Sequence, residues 1–374
     1  NAAFFNPTQD PYFRNADGSI DYTTCNGFWN YGGGRGDQFT QSTLVGVSPL
    51  SQLYDKVSNG RAYRFIGNAN IDYKVHGLEE LKFVLSLGMD YSWGRNYNGV
   101  NPGSFQAAGD NENPRIGQYS ISNSVSRNEV LEAYANYNKD FGIHNLDVMA
   151  GYSWQHVYNG GQSISYFNET DEVKLNPGES IDTRYPYGAS ESYLVSFYSR
   201  VNYSLDSRYL FTASIRADGS SKFSPATRWG IFPSGAFAWN IAEEGFLEDA
   251  SSLSQLKLRL SAGMTGQQDG ISDYAHLARY KLSDDVYSVY NMGNYGYQFV
   301  YTPQAYDPNI KWETTTTYNA GIDFGFFKDR LTGSVDAYLR NTNDLLNVVT
   351  TPMGSNFGNS LLTNIGSLQN KGIE

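Results

Sequence analysis

Residues 216–239 read RADGSSKFSPATRWGIFPSGAFAW, and apolar and polar residues alternate on both sides of the turn-rich centre of this stretch. Before the centre, the apolar or aromatic residues occupy alternate positions, a set that we call the apolar or aromatic parity. Its members are Tyr209, Phe211, Ala213, Ile215 and Ala217. After the centre, it comprises Trp229, Ile231, Phe237 and Trp239. Because a period of two residues puts such side chains on one face of a β-strand, the stretch predicts two strands with a strongly aromatic face. Pro233 has no N–H for a sheet, so we expect a bulge or a local break in the pairing there.

The same alternation recurs along most of the chain. It predicts further strands at 63–75, 81–93, 118–138, 144–158, 191–204, 254–265, 312–326 and 330–341. Soluble strands average roughly five or six residues, whereas a tilted strand needs about 9–11 residues to cross a membrane. Each of the further strands is longer than either value. Their length favours membrane-spanning β-structure over a soluble β-sandwich or propeller, whose strands would also alternate.

The lengths of the connections alternate as well. Short turns are predicted at 76–80, 139–142, 205–207 and 327–329, and long loops at 1–60, 94–117, 159–190, 266–311 and 342–360. Short turns at one end of a sheet and long loops at the other are typical of an outer-membrane β-barrel. The aromatic parity would then face lipid, and the polar parity would face a wet lumen. Arg127 and Glu129 are charged residues on the aromatic parity, and they lie on the long-loop side beyond the predicted bilayer.

The composition agrees with an all-β chain. Aromatic residues make up 15% and charged residues 17% of the sequence, which disfavours disorder. No run of about 18 apolar residues is present, so no transmembrane helix is predicted. The net charge is −11 and the basic residues are scattered, so nucleic acid is not expected as a partner. The single cysteine, Cys25, has no partner for an internal disulfide.

Four segments resemble one family, the SusC/RagA-type TonB-dependent outer-membrane transporters of Gram-negative bacteria. They are 208–247, which contains the opening stretch, 253–275 (LSQLKLRLSAGMTGQQDGISDYA), 309–346 (NIKWETTTTYNAGIDFGFFKDRLTGSVDAYLRNTNDLL) and 364–374 (NIGSLQNKGIE). Residues 48–55 and 131–155 are similar to the family too. Together these segments cover well over half of the chain in matching order, so the combination is specific although each piece is short.

The resemblance implies an all-β fold, a transmembrane antiparallel barrel of the 22-stranded, plugged class. It also implies an N-terminal plug domain and a TonB-contacting box ahead of the plug. The chain is expected to supply the middle of that barrel, with about ten strands, and to lack the plug, the box and the closing strands. We therefore predict one partial barrel domain over residues 1–374, with 1–60 an extracellular loop and 61–374 the strands and their loops. An unpaired sheet edge is not viable in lipid, so the native protein is expected to be longer.

Members of the family import nutrients too large for porins, typically oligosaccharides and sometimes peptides. The resemblance implies the same activity here, with a SusD-like surface lipoprotein as a lid and the TonB–ExbB–ExbD complex as the source of energy. Outer-membrane lipid is the other expected contact. No enzyme activity, metal or cofactor is predicted, because the four histidines show no metal-ligand spacing.

Two groups of residues are candidates for contact with the substrate. Aromatic residues in the loops suit sugar recognition, and the candidates are Trp29, Tyr31, Tyr295 and Tyr297. The polar parity supplies the lumen-facing candidates Arg200, Arg216, Arg228, Arg259, Asp323 and Asp336. The negative net charge disfavours a polyanionic substrate, unless the four arginines form a local patch.

Three alternatives stay open on the sequence alone. A siderophore- or vitamin-type TonB-dependent receptor would share the barrel but lack the lipoprotein lid. A surface adhesive β-protein would have no plug. A secreted glycan hydrolase would need two carboxylates at a separation that the sequence does not give. Loop carboxylates such as Glu169 and Asp171 are better interpreted as solvated charge.

Overall fold

The structure is a computed structural model of the chain. It describes residues 8–29, 48–107, 117–168, 188–247, 250, 252–282, 289–291, 293, 297–299, 301–352 and 360–374. The chain forms two compact units. The first comprises Asn1–Ile66, Asp90–Arg127 and Tyr158–Ser190, and the second comprises Gly67–Met89, Asn128–Val157 and Glu191–Glu374.

Strands account for most of the described residues. In chain order they are β1 (Lys56–Val75), β2 (Leu78–Val100), β3 (Gly117–Phe141), β4 (His144–Asn168), β5 (Gly188–Leu205), β6 (Tyr209–Ser220), β7 (Trp229–Asn240), β8 (Leu253–Gln267), β9 (Tyr280–Leu282), β10 (Val289–Asn291), β11 (Tyr297–Phe299), β12 (Tyr301–Pro303), β13 (Glu313–Phe326), β14 (Leu331–Asn343), β15 (Leu346–Thr350), β16 (Ser360–Asn364) and β17 (Ser367–Ile373). Eleven of them form one sheet in the order β1-β2-β3-β4-β5-β6-β7-β8-β13-β14-β17. Each strand of this sheet is therefore paired with the one before it in the series, as in an up-and-down barrel.

The register converts the alternating sequence into a sheet with two different faces. Ile322 of β13 lies between Leu258 of β8 and Val335 of β14, and all three belong to the apolar parity. The next residue, Asp323, lies opposite Lys257 on the polar parity. Because directly opposite residues of an antiparallel pair share a face, the two parities stay separate across the strands.

Several residues of the short turns adopt left-handed backbone angles. Phe327, Lys328 and Asp329 link β13 to β14 with φ of 57°, 59° and 59°. Gly77 and Gly142 adopt φ of 80° and 66° in the turns after β1 and β3, where a residue without Cβ meets no steric penalty. These turns lie where the sequence predicts them.

The apolar face of the sheet is exposed rather than packed. Phe211 is 47% exposed, Ile231 60% and Ile322 45%, although all three lie in the interior of long strands. Soluble monomers rarely expose continuous apolar areas of this extent. The face is therefore suited to contact with lipid.

Pro233 coincides with a local break in the pairing, one of the two outcomes expected from the sequence. It lies opposite Ile215 of β6, whereas the pairing of β7 with β8 runs only from Asn240 to Ser234. The missing N–H of the proline thus falls where the β7–β8 ladder has ended. The Phe232 ring spans the break, because a Cβ built on Gly266 of β8 would collide with it.

The second unit has a hydrophobic core formed by loop residues and strand ends. Phe223, Phe232, Ile271, Ala275, Ile310 and Trp312 are buried together. The Trp312 and Phe223 ring centroids lie 4.9 Å apart, and the Trp312 indole N–H donates to the carbonyl of Arg228 over 2.9 Å. This core fixes the link between β6 and β7 against the segment that leads into β13.

The first unit has a smaller core with a polar centre. Phe13, Cys25 and Phe105 are buried together, and a helix, α1 (Pro49–Tyr54), precedes β1. Asp55 is 3% exposed and accepts hydrogen bonds from Asn26 Nδ2 over 2.9 Å and from Ser51 Oγ over 2.7 Å. No helix among the described residues has the length and hydropathy required to span a membrane.

Several predicted loops contain more β-structure than the sequence indicates. β2 continues to Val100 and β4 to Asn168, so the hairpins extend into the predicted loops 94–117 and 159–190. The loop 266–311 contains two small hairpins, β9 with β12 and β10 with β11. β15 lies within the predicted loop 342–360 and pairs with β16, which begins at Ser360, the last residue of that loop. The small strands in the predicted loops could not be seen in the sequence, because strands of three to five residues are too short to show a period.

Candidate functional site

The polar face of the sheet carries the candidate site. This face is defined by the alternate residues that share a side with Arg259, Asp323 and Asp336. Its polar groups are organised by the register of β5 to β8, β13 and β14 rather than by any single loop.

Arg259 is the centre of an ion-pair cluster on this face. Its Nε and Nη2 atoms donate to the two carboxylate oxygens of Asp323, each over 2.9 Å. Nη2 also donates to Asp336 over 2.9 Å. Bidentate arginine–carboxylate pairs are strong and geometrically specific. Three of the predicted residues, Arg259, Asp323 and Asp336, are thus brought together by β8, β13 and β14.

A glycine makes this cluster possible. Gly321 of β13 lies directly between Arg259 and Asp336 in the register. A Cβ at Gly321 would meet Arg259 Nη2 at 2.8 Å and would meet the Asp336 carboxylate more closely still. The sequence signals an unusual position here only through a glycine inside a strand.

Arg216 forms a second cluster. It donates from Nε to Asp218 over 2.7 Å and from Nη2 to Ser196 over 2.8 Å. Its guanidinium carbon lies 5.7 Å from the centroid of the Tyr198 ring, and the Tyr198 hydroxyl donates to Glu132 over 2.7 Å. The positive charge of Arg216 is therefore compensated within the protein.

Arg200 and Arg228 differ from the other two predicted arginines, because neither forms a salt bridge with a described residue. Arg200 starts a row across the polar face that ends at Arg340 of β14. The register places Ser214, Ser234, Gly263 and Thr317 between these two arginines. The residues between the two arginines carry hydroxyl groups or, at Gly263, no side chain, and none of them is acidic. We call this row the strip between Arg200 and Arg340. The hypothesis that Arg200, Arg216, Arg228 and Arg259 form a local patch for a polyanionic substrate stays a prediction.

The structure describes only some of the aromatic loop residues that the sequence predicts as substrate contacts. Trp29 is partly buried against the Phe13 core of the first unit, and its backbone N–H donates to the carbonyl of Pro11 over 3.0 Å. Tyr31 and Tyr295 lie outside the described residues, and for Tyr297 the structure gives the backbone position in β11. Two further loop aromatics, Tyr280 and Tyr301, are 67% and 70% exposed on the β9–β12 pair.

One of the four histidines, His156, lies in a buried cluster that metal-ligand spacing in the sequence does not signal. His156 is 4% exposed, with Nδ1 2.8 Å from Glu129 and Nε2 2.8 Å from Glu191. Its ring stacks on Tyr193 with the centroids 4.4 Å apart. Glu129, His156 and Glu191 come from three strands, so the imidazole joins β3, β4 and β5. Only the charge of Glu129 on the apolar parity hinted at this cluster.

The described residues include no group of three or more His, Cys, Asp or Glu side chains arranged to hold a metal ion.

The chain matches one family model, described as TonB dependent receptor-like, beta-barrel, over residues 6–374. It therefore belongs to the TonB-dependent receptor family, which is a family of receptors and not of enzymes. Its sheet is part of an antiparallel outer-membrane β-barrel. Barrels of this class present an apolar face to lipid and a polar face to the lumen. The all-β barrel fold and the outer-membrane location predicted from the sequence are confirmed.

Among its relatives is the TonB-dependent receptor SusC of Bacteroides thetaiotaomicron. The two are 38% identical over 384 aligned positions, which cover 100% of this chain and 36% of SusC. The TonB-dependent receptor P3 of Formosa agariphila is 39% identical over 66% of this chain and 24% of its own length. The chain thus spans about a third or less of the curated relatives that it matches.

A solved structure of the RagAB peptide transporter has a similar fold. The TM-score is 0.75 at 23% identity, over 92% of this chain and 36% of that one. A structure of the RagAB peptide importer in the closed-closed state gives a TM-score of 0.74 at 23% identity, over 90% and 36% of the two chains. The SusC/RagA resemblance recognised in the sequence is confirmed.

Proposed function

We propose that the protein containing this chain imports a nutrient across the outer membrane in a TonB-dependent manner, as the barrel subunit of a SusC-like system. The observation that carries the proposal is the 38% identity to SusC over the whole of the chain. The two-faced sheet supports it, because a wall that is apolar outside and polar inside is required of a transport barrel.

The strip between Arg200 and Arg340 is proposed as part of the wall along which the substrate passes. Ser214 and Ser234 Oγ atoms lie 2.6 Å apart in it, and the neighbouring row carries Thr212, Ser261 and Asn319. Hydroxyl and amide groups exchange hydrogen bonds equally well with sugar hydroxyls and with peptide groups. The substrate class is therefore proposed as oligosaccharide or peptide, and the two are separated by experiment.

The remaining site residues enter the proposal in two roles. Arg216, Arg228, Arg259, Asp323 and Asp336 hold the shape and charge of the lumen wall. Trp29, Tyr31, Tyr295 and Tyr297 are proposed to contact the substrate from the loops. The protein is not proposed to alter its substrate chemically.

Two partners complete the proposal. A SusD-like surface lipoprotein would cover the long-loop end of the barrel. The TonB–ExbB–ExbD complex would act through a segment of the protein outside this chain.

The test is uptake by a strain in which the full-length gene is deleted and then restored. Labelled maltooligosaccharides and labelled oligopeptides are supplied separately, with tonB intact and with tonB disrupted. We expect uptake of one class only, dependent on both genes. Uptake of ferric siderophore or cobalamin alone would favour the siderophore- or vitamin-type receptor, and no TonB-dependent uptake would favour an adhesive role.

Two variants of neighbouring residues test the wall. Ser261 and Leu260 are adjacent in β8 and face the lumen and the lipid, respectively. Ser261→Trp should reduce uptake severalfold by narrowing the path, whereas Leu260→Trp should leave uptake unchanged at equal amounts of protein in the outer membrane. Equal uptake by both variants would contradict the proposed path.

A further inference from the structure

A groove of about 930 Å³ lies in the lipid-facing surface of the second unit. Its floor consists of small residues that the register aligns. Ala213 of β6, Gly235 of β7 and Ala262 of β8 form one row, and Ala320 and Ala337 lie together in the next row. Larger side chains stand beside the floor, among them Phe211, Phe237 and Tyr318. The lining is therefore apolar, and it lies on a face that water does not cover in the membrane.

A lysine closes one end of this groove. The row of Ala262 continues through Tyr318 and Leu339 to Lys371 of β17, and Lys371 lines the groove. Lys371 thus lies on the lipid-facing parity, and it forms no salt bridge with a described residue.

The position of Lys371 relative to the bilayer follows from its neighbours on β14 and β17. Towards the short turns, the lipid-facing residues are Val335, Ala337 and Ile373. Towards the long loops, they are Asn341 and Gln369, which share a hydrogen bond of 2.8 Å. The surface changes from apolar to polar at Lys371. A charged side chain is costly in hydrocarbon, so this change marks the headgroup level of the outer leaflet.

We propose that the groove binds one acyl chain of a phosphate-bearing lipid of the outer leaflet, and that Lys371 pairs with the phosphate of that lipid. An acyl chain is the occupant because the lining is apolar and lipid-facing. A phosphate-bearing headgroup is selected by charge complementarity, because a lysine with a long apolar stem reaches the interface from the end of the groove. The groove opens on the apolar face of the sheet and the proposed import path lies on the polar face, although Thr212, Ser261 and Asn319 of that path also line the groove.

A second groove on the same face provides an internal comparison. It has a volume of about 640 Å³ and is floored by Ala133, Ala135 and Ala150, with Ile71, Phe83 and Phe197 beside them. No lysine or arginine lines this second groove. It therefore offers acyl-chain contact without an electrostatic partner.

The experiment is native mass spectrometry of the delipidated full-length protein in neutral detergent. The probes are dioleoylphosphatidylglycerol, dioleoylglycerol with the same acyl chains and no phosphate, and inorganic phosphate. We expect the wild type to bind the phosphatidylglycerol roughly fivefold more tightly than the dioleoylglycerol, the factor that one basic residue near an anionic headgroup provides. Lys371→Gln should abolish this preference, and Ala213→Phe should weaken the binding of both lipids by filling the groove.

Matched variants provide the controls. Lys328→Gln removes a lysine in the turn between β13 and β14, and Ala150→Phe fills the second groove; both should retain the preference. Lys371→Gln is an exposed substitution, so it tests the proposal even where Ala213→Phe lowers the yield of folded protein. The proposal is overturned by a preference that persists in Lys371→Gln, or by displacement of the lipid by an equal concentration of inorganic phosphate.

Discussion

Arg259 and Asp336 form an ion pair of 2.9 Å although their strands, β8 and β14, are not neighbours in the sheet. Their side chains meet over Gly321 of the intervening strand β13, which lies opposite both. Asp323 of the same strand accepts hydrogen bonds from Arg259 Nε and from the Nη2 atom that also donates to Asp336. Three strands are thus tied together at a point where the middle strand has no side chain.

Replacement of Gly321 by alanine should separate Arg259 from Asp336. In an ordinary strand this substitution stabilises by roughly 0.5–1 kcal/mol, because glycine has the larger entropy to lose. At Gly321 we expect a net loss of about 1 kcal/mol, since the pair is partly exposed and solvent screens it. Thermal unfolding of the full-length protein in detergent measures the change. Gly235→Ala is the control, because the nearest atom to its Cβ would be 3.9 Å away. Equal melting temperatures for the two variants would argue against the role of Gly321.

Phe223 should be the key side chain of the loop core in the second unit. It is completely buried and packs on Trp312, so Phe223→Ala removes a large side chain from a closed site. We expect a loss of about 3–5 kcal/mol, realised as local opening of the loops. Limited proteolysis between β8 and β13 reports this opening. Phe246→Ala, at a residue that is 72% exposed, should leave the cleavage rate unchanged. If both variants are cleaved at the wild-type rate, the loops are fixed by something other than this core.

Glu244 should give the turn between β7 and β8 a defined pH dependence. The Tyr209 hydroxyl and, next, the Trp239 indole donate hydrogen bonds to its carboxylate and lower its pKa below the ordinary value of a glutamate. A lowered pKa means that this stabilisation is complete above the unfolded-state pKa of about 4.3 and is lost as the pH falls through the folded-state value. The melting-temperature difference between wild type and Glu244→Gln should therefore be constant at neutral pH and shrink only in acid. Glu243→Gln serves as the neighbouring control. A difference that is already shrinking between pH 7 and 6 would contradict this assignment.

His156 should hold β3, β4 and β5 together on the long-loop side. His156→Phe keeps a ring against Tyr193 but removes the hydrogen bonds to Glu129 and Glu191. Hydrogen bonds to charged groups contribute about 1.5–3 kcal/mol each, so local opening of these strands should become at least tenfold more frequent. Hydrogen exchange of peptides from the three strands, followed by mass spectrometry, measures this. His144→Phe removes a single exposed contact with Tyr203 and should change exchange much less. Identical hydrogen exchange in the two variants would rule out this role of His156.

The long strands and their two faces could be predicted from the sequence, because the alternation of apolar and polar residues reports them directly. The alternation alone predicts that Ile322 and Asp323 lie on opposite faces of the sheet, and the register confirms this. The ion pairs of Arg216 and Arg259 could not be predicted from the sequence, because they depend on how the strands are paired and on their register. The same holds for His156, whose partners are 27 and 35 residues away in the sequence. The small hairpins could not be predicted, because strands of three residues are too short to show an alternation of apolar and polar residues.

The break beside Pro233 has a consequence for how the wall stays closed. On the long-loop side of Ser234, the described residues of β7 and β8 share no ladder hydrogen bonds. The Phe232 ring lies against Gly266 of the next strand and edge-on to Trp312, with the centroids 5.5 Å apart. Closure at this point is therefore provided by a side chain where the hydrogen bonds end, and the two glycines at 230 and 266 leave room for that ring.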